Sequence, residues 1–273
     1  MMFQSVAIAL GTVLVSTNWA FADTAKTKHD LFGPIKSVTT KTQSYVQTES
    51  YDRNGRLTEA TINLTHGNTT THYLFRYHDQ GDLLEELAHD SNGQLIYRKQ
   101  FAYAKDSTGR VTASVAASDK GEIQHVEFFF YDRFGNMAEQ LLFHDATVHR
   151  SLYDVLGRLI YSARFSKGAL FSELIRQYDE AGRVAQLISY AADGTMTAKI
   201  VNDYDAAGVL VRATSRKFSQ GGQRTWITDY EYDGMGNWTK EVTSEETPGP
   251  VEAGSTSSTV QERNIEYYAD REN

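Results

Sequence analysis

Tyr153-Asp154-Val155-Leu156-Gly157-Arg158-Leu159 decides the fold, because the phrase recurs along the chain. It stands also at Tyr51-Asp52-Arg53-Asn54-Gly55-Arg56-Leu57 and at Tyr131-Asp132-Arg133-Phe134-Gly135-Asn136-Met137. It returns at Tyr178-Asp179 with Gly182, at Tyr204-Asp205 with Gly208, and at Tyr232-Asp233 with Gly236. Weaker copies keep the glycine but lose the tyrosine or the aspartate, as at Tyr77-His78 with Gly81 and at Lys105-Asp106 with Gly109. Between these glycines falls a plainer turn, at Gly67, Gly93, Gly121, Gly168, Gly194 or Gly221-Gly222. A recurring period of this length marks a repeat architecture, and the unit reads strand, turn, strand, turn.

Each motif position has a mechanical reason. Aspartate at the first turn position accepts hydrogen bonds from the turn's own amides, and glycine at the fourth supplies the positive φ that re-enters the next strand. Two residues beyond the glycine the side chain is apolar, as at Leu57, Leu83, Val111, Met137, Leu159, Val184, Leu210 and Trp238. One fixed face of each strand is therefore apolar, as a sheet packed on one side requires. We assign Asp52, Asp132, Asp154, Asp179, Asp205 and Asp233, with Gly55, Gly135, Gly157, Gly182, Gly208 and Gly236, to turn structure. A general acid and base must face one substrate, whereas these carboxylates are spread along a sheet rim.

Sixteen turns imply roughly seventeen strands, a ribbon ~80 Å wide at ~4.8 Å per strand. Open sheets rarely pass ~10 strands without curling or splitting. The expected fold is all-β, an antiparallel meander of tandem hairpins forming one long curved or curled sheet; closed into a tilted tube it would be about 30 Å across. Residues 82–88 have a helix-like composition but occupy a strand slot, and are read as strand. Phe128-Phe129-Phe130-Tyr131 is apolar on both faces, which predicts a strand covered on both sides. Residues 244–259 hold two of the three prolines and read as a mobile surface loop, before a closing strand at 263–268. Residues 31–268 are read as a single repeat domain and 269–273 as a tail.

The chain has 273 residues, 40% hydrophobic and 23% charged, with net charge −8 and no cysteine. This excludes a disordered chain, a multi-span membrane protein, a disulfide scaffold and a cysteine nucleophile. An acidic balance argues against gripping nucleic acid. Residues 1–22 carry no charged side chain, and an apolar run at 6–15 precedes Ala20-Phe21-Ala22. They read as a cleavable signal peptide followed by a short linker at 23–30, so the protein is expected to be exported, periplasmic or extracellular, with no stable membrane span after cleavage.

The Tyr-Asp-x-x-Gly-Arg-Leu signature resembles the YD repeats of RHS-repeat proteins, which include bacterial polymorphic toxins, toxin-complex shells and teneurins. Phrases such as Tyr232-Asp233-Gly234-Met235-Gly236-Asn237-Trp238-Thr239 look like those of small exported RHS-like bacterial proteins. The resemblance implies a spiralling antiparallel sheet. It transfers no catalytic residue, because neither a self-cleaving Asp-Pro-x-x-Gly-like segment nor a C-terminal effector is visible.

No P-loop, nucleophile elbow, His-Glu-x-x-His or dinucleotide fingerprint is present. His66, His72 and His78 lie near one hairpin, but Arg76 opposes a cation there, so no metal and no cofactor is expected. His144 and His149 read as loop and strand residues. Two aromatic ladders, Tyr73, Phe75 and Tyr77 on one strand and Trp226, Tyr230 and Tyr232 on another, are core packing unless they line a concave face. On such a face they suit a glycan or peptide. The leading expectation is thus a non-enzymatic binding or scaffolding protein at the bacterial envelope or outside the cell, with glycan or protein as its partner. Its alternatives are a periplasmic immunity or inhibitor protein and, more weakly, a glycoside-active enzyme.

Overall fold

The computed structural model describes residues 31–269 except 68, 144–145, 220–221 and 247–257. The expected signal peptide and linker, His144, the middle of the loop expected at 244–259 and nearly all of the tail lie outside the described residues. Among the described residues eighteen strands make up one sheet. They are β1 Ile35–Lys41, β2 Tyr45–Tyr51, β3 Leu57–Leu64, β4 Thr69–Tyr77, β5 Leu83–His89 and β6 Leu95–Lys105. Next come β7 Val111–Ser118, β8 Ile123–Tyr131, β9 Met137–Leu142, β10 Thr147–Tyr153, β11 Leu159–Ser166 and β12 Ala169–Tyr178. The last six are β13 Val184–Ala191, β14 Met196–Tyr204, β15 Leu210–Ser219, β16 Gly222–Tyr232, β17 Trp238–Glu246 and β18 Ser258–Tyr267.

Each strand pairs antiparallel with its sequence neighbours, and β1 pairs with β18 as well as with β2. The curved sheet expected from the repeat is therefore closed into a barrel, which removes both edges. Residues 82–88 form most of β5, as their slot in the repeat requires. Strand β18 closes the final hairpin with β17 and seals the ring against β1. The loop between them is shorter than expected, because Ser244 and Thr259 lie within paired strands.

The turn at Asp154 shows how the motif folds. The Gly157 amide donates to the Asp154 carbonyl at 3.0 Å, and the Asp154 amide donates to the Arg158 carbonyl at 2.9 Å. This is a type I turn closed by a left-handed residue, which is why Gly157 sits at φ 75°. Asp154 Oδ1 accepts the amides of Leu156 and Arg158, both at 2.9 Å, and Oδ2 pairs with the Arg158 guanidinium at 2.7 Å. Beyond each such turn the register slips by one residue: Tyr51 pairs with Leu57 while Ser50 pairs with Glu59. The slip turns the tyrosine and the apolar residue after the glycine onto the same face.

Directly paired residues share a face, so following the ladder round the ring sorts every strand into two walls. One wall carries Val38, Glu49, Tyr51, Ile62, Tyr73, Ala88 and Phe129, all buried; it is the inside. The other carries Phe128, Phe130 and Leu152, 37%, 52% and 58% exposed. The expectation that residues 128–130 are covered on both sides fails here: Phe129 is buried inward, while its two neighbours face outward uncovered.

A latch joins Phe32, just ahead of β1, to the last motif. Asn237, 1% exposed, accepts the Phe32 amide through Oδ1 and donates to the Phe32 carbonyl and the Tyr267 hydroxyl through Nδ2. Tyr267 in turn donates to Asp233.

Candidate functional site

The barrel interior is not uniform. From β1 to β10 the inner face is packed on every strand but β6: Leu57, Ala60, Glu86, Ser114, Ala116, Glu127, Gln140 and Thr147 are all buried, whereas Tyr97, Lys99, Phe101 and Tyr103 on β6 are partly exposed. From β11 to β17 its residues are at least partly exposed, apart from Ala213. The accessible inner wall is the candidate site.

All six aromatic residues singled out in the sequence face inward, but the ring separates them. Tyr73 and Phe75 pack in the buried clusters with Ala60, Ile62 and Ala88, and the Tyr77 hydroxyl donates to the Leu57 carbonyl at 2.8 Å. That ladder is core. Trp226, Tyr230 and Tyr232 belong to the accessible half, where Tyr230 and Tyr232 lie 6.4 Å apart centre to centre. Their strands β4 and β16 are not neighbours, so the two ladders form no single site.

Trp238, which pairs with Tyr232, extends the accessible ladder onto β17. The Arg263 guanidinium lies 3.5 Å from its ring centre, with Nε and Nη1 buried and unmatched by any hydrogen bond. Burial pushes the Arg263 guanidinium down, against the opposing pull of Glu49, Tyr51 and Glu241. Burial also raises Glu241 beside it and Glu127 in the packed half, where Ser114 donates to the carboxylate. In the sequence Trp238 stands at the apolar motif position, which predicts packing. Arg263 carried no local signal, since its inward direction follows only from closure of β18 on β1.

The six motif aspartates lie at turns along one rim. Among the described residues no three His, Asp or Glu side chains come together as a metal site. His72 faces outward, within 3.1 Å of the Thr61 hydroxyl, and His149 faces the interior opposite Gln140.

No family model matches the sequence, and no curated protein matches it. A porin-like protein from Bacteroides uniformis is similar over 86% of this chain and 99% of its own, at 12% identity and a TM-score of 0.46. A second porin-like protein, from Bacteroides vulgatus, covers 86% of this chain at 11% identity and a TM-score of 0.24. The structure of TcdB2-TccC3 without its hypervariable C-terminal region covers 79% of this chain with 16% of its own length, at 14% identity and a TM-score of 0.25. At these scores the likenesses transfer no function.

Proposed function

We propose that this is an exported, non-enzymatic β-repeat protein of the RHS/YD type that binds an extended polymer, glycan or protein, along the inner wall of β11–β17. The observation that carries the reading is the split interior. One half is packed as a core, while the other leaves Trp226, Tyr230, Tyr232 and Trp238 accessible beside small polar residues such as Ser162, Ser189, Asn202 and Ser215. Aromatic faces with interspersed hydroxyl and amide groups suit a polymer of sugars or an extended peptide.

Two further features support it. The described inner carboxylates of this half, Glu241 and Glu245, are four residues apart on one strand, about 13 Å, wider than the ~5–10 Å of a glycosidase pair. The outer wall of β14–β18 carries Lys199, Arg212, Arg216, Asp229, Lys240 and Glu262. Cations on a lipid-facing barrel surface cost about 2–4 kcal/mol each at the bilayer midplane, so this wall suits water rather than a lipid annulus.

The test is fluorescence. The sequence holds Trp19, in the expected leader, and only Trp226 and Trp238 beyond it. Emission of the processed protein therefore reports on the proposed wall. Titration with envelope glycan and peptide fractions should give a saturable change that Trp226→Ala abolishes; a flat response to both fractions refutes the reading.

A further inference from the structure

We propose that the polymer is an anionic glycan, an assignment that rests on the reading above and narrows it. Among the described residues, the inner face from β9 to β16 carries Arg164, Arg176, Lys217 and Arg224 and no carboxylate, while Glu241 and Glu245 face inward on β17 at the edge of the proposed wall. The acidic residues of those strands lie outside, where Glu139 pairs with Arg150 at 2.8 Å and Asp229 with Arg212 at 2.6 Å. A chain of net charge −8 thus presents a basic interior wall.

These cations are poorly compensated. Lys217 and Arg224 stand directly opposite one another in the β15–β16 ladder, an unfavourable juxtaposition of like charges. Arg224 comes no nearer to Glu245 than 3.9 Å, and the Lys217 ammonium lies 5.2 Å from the Trp226 ring centre. Arg176 Nη1 is buried without a hydrogen-bond partner. A buried charged donor left unmade is costly, and an oxygen of a carboxylate, sulfate or phosphate group would satisfy it.

Arg176 on β12 and Lys217 on β15 are three strand spacings apart, about 14 Å, which spans several sugar units. An acidic peptide would satisfy the cations but would leave the flat faces of Trp226 and Tyr230 without matching rings. A sugar chain carrying anionic substituents meets both requirements.

Calorimetric titration with oligogalacturonate, a heparin-derived oligosaccharide, a neutral cello-oligosaccharide and poly-L-glutamate tests the assignment. At least one anionic glycan should bind, weaken with added salt, and lose about tenfold for each of Arg176→Gln and Lys217→Gln; the outer-wall variant Lys240→Gln should match wild type. Wild-type affinity in the Arg164→Gln/Arg176→Gln/Lys217→Gln protein, its β spectrum intact, overturns the proposal. So does tightest binding to poly-L-glutamate, or failure of both anionic glycans. Equal, salt-insensitive binding of the neutral oligosaccharide removes the anionic assignment but keeps polymer binding. Failure of all four ligands together with a flat response to both envelope fractions removes both.

Discussion

The Arg183 guanidinium lies 4.5 Å from the centre of the Tyr204 ring, although the two residues belong to successive repeats. Asp179 holds Arg183 from its own turn at 2.7 Å, and the Tyr204 hydroxyl reaches back to the Val184 carbonyl at 3.0 Å. Aspartate fixes the arginine, the arginine covers the next ring, and that ring ties itself to the preceding strand. The same arrangement joins Arg56 to Tyr77, Arg110 to Tyr131 and Arg158 to Tyr178. Across the seam Arg53 covers Tyr268, whose hydroxyl donates to the Tyr51 carbonyl. The motif is thus a connector between neighbours as much as a turn, which is how a repeat array accumulates stability.

Removing one connector should cost unequally by position. Tyr178→Phe deletes the donor to the Leu159 carbonyl and should destabilise by about 1 kcal/mol. In Tyr204→Phe the Val184 carbonyl keeps Asn202 Nδ2 as a second donor at 2.8 Å, so the loss should be smaller. Urea midpoints of the two variants check the order; equal losses would contradict it.

The turn aspartates predict acid sensitivity. The Arg158 amide holds Asp154 below its usual value, the Arg183 amide does the same for Asp179, and the Asn136 side chain for Asp132. With folded values depressed below the unfolded ~3.9, their stabilisation is complete above that pH and drains as pH falls through the folded values. Urea midpoints should be flat from about pH 7 to 5 and fall below about 4. The Asp154→Asn/Asp179→Asn protein should fall less steeply over the same interval.

Much of the barrel was legible, because the period placed the Tyr-Asp turns and most of their glycines, and every strand between them follows from that spacing. Closure was not, since the β1–β18 pairing joins residues more than two hundred apart and neither strand carries the full motif. The outward exposure of Phe128 and Phe130 was misread because alternation cannot show whether anything covers an outer wall. The site was half legible. Trp226, Tyr230 and Tyr232 could be found as a ladder, but so could Tyr73, Phe75 and Tyr77, and only the ring separates an accessible wall from a core. Arg176 and Lys217 carry no local signal, since only the register of the ladder turns them inward.

At alkaline pH the buried tyrosine hydroxyls act in the opposite sense to the turn carboxylates. Burial raises Tyr77, Tyr103 and Tyr131 above the usual phenol value and pushes Tyr230 up to about 12. A raised folded value gives stabilisation that is complete below the unfolded ~10 and is lost as pH climbs through the folded values. Tyrosinate absorbance should therefore show a fraction of rings silent near pH 10 that ionise together with loss of the β spectrum. Ionisation of all sixteen tyrosines near pH 10 in the folded state would contradict the inward placement.

The seam makes the sharpest stability prediction. Asn237 and Asn136 occupy the same motif position, but among the described residues the Asn136 side chain reaches its own Asp132, at 3.0 Å, while Asn237 holds both backbone groups of Phe32 and the Tyr267 hydroxyl. Asn237→Ala strands partners at the one place where strands distant in sequence must meet, and should cost roughly 2–4 kcal/mol against about 1 for Asn136→Ala. The loss should also be localised. In Asn237→Ala, amide exchange should quicken in β1 and β18 before any other strand, because opening the seam restores two edges without unfolding the remaining hairpins. Uniform quickening round the ring would show that the barrel opens as one unit and that the latch contributes no more than another turn.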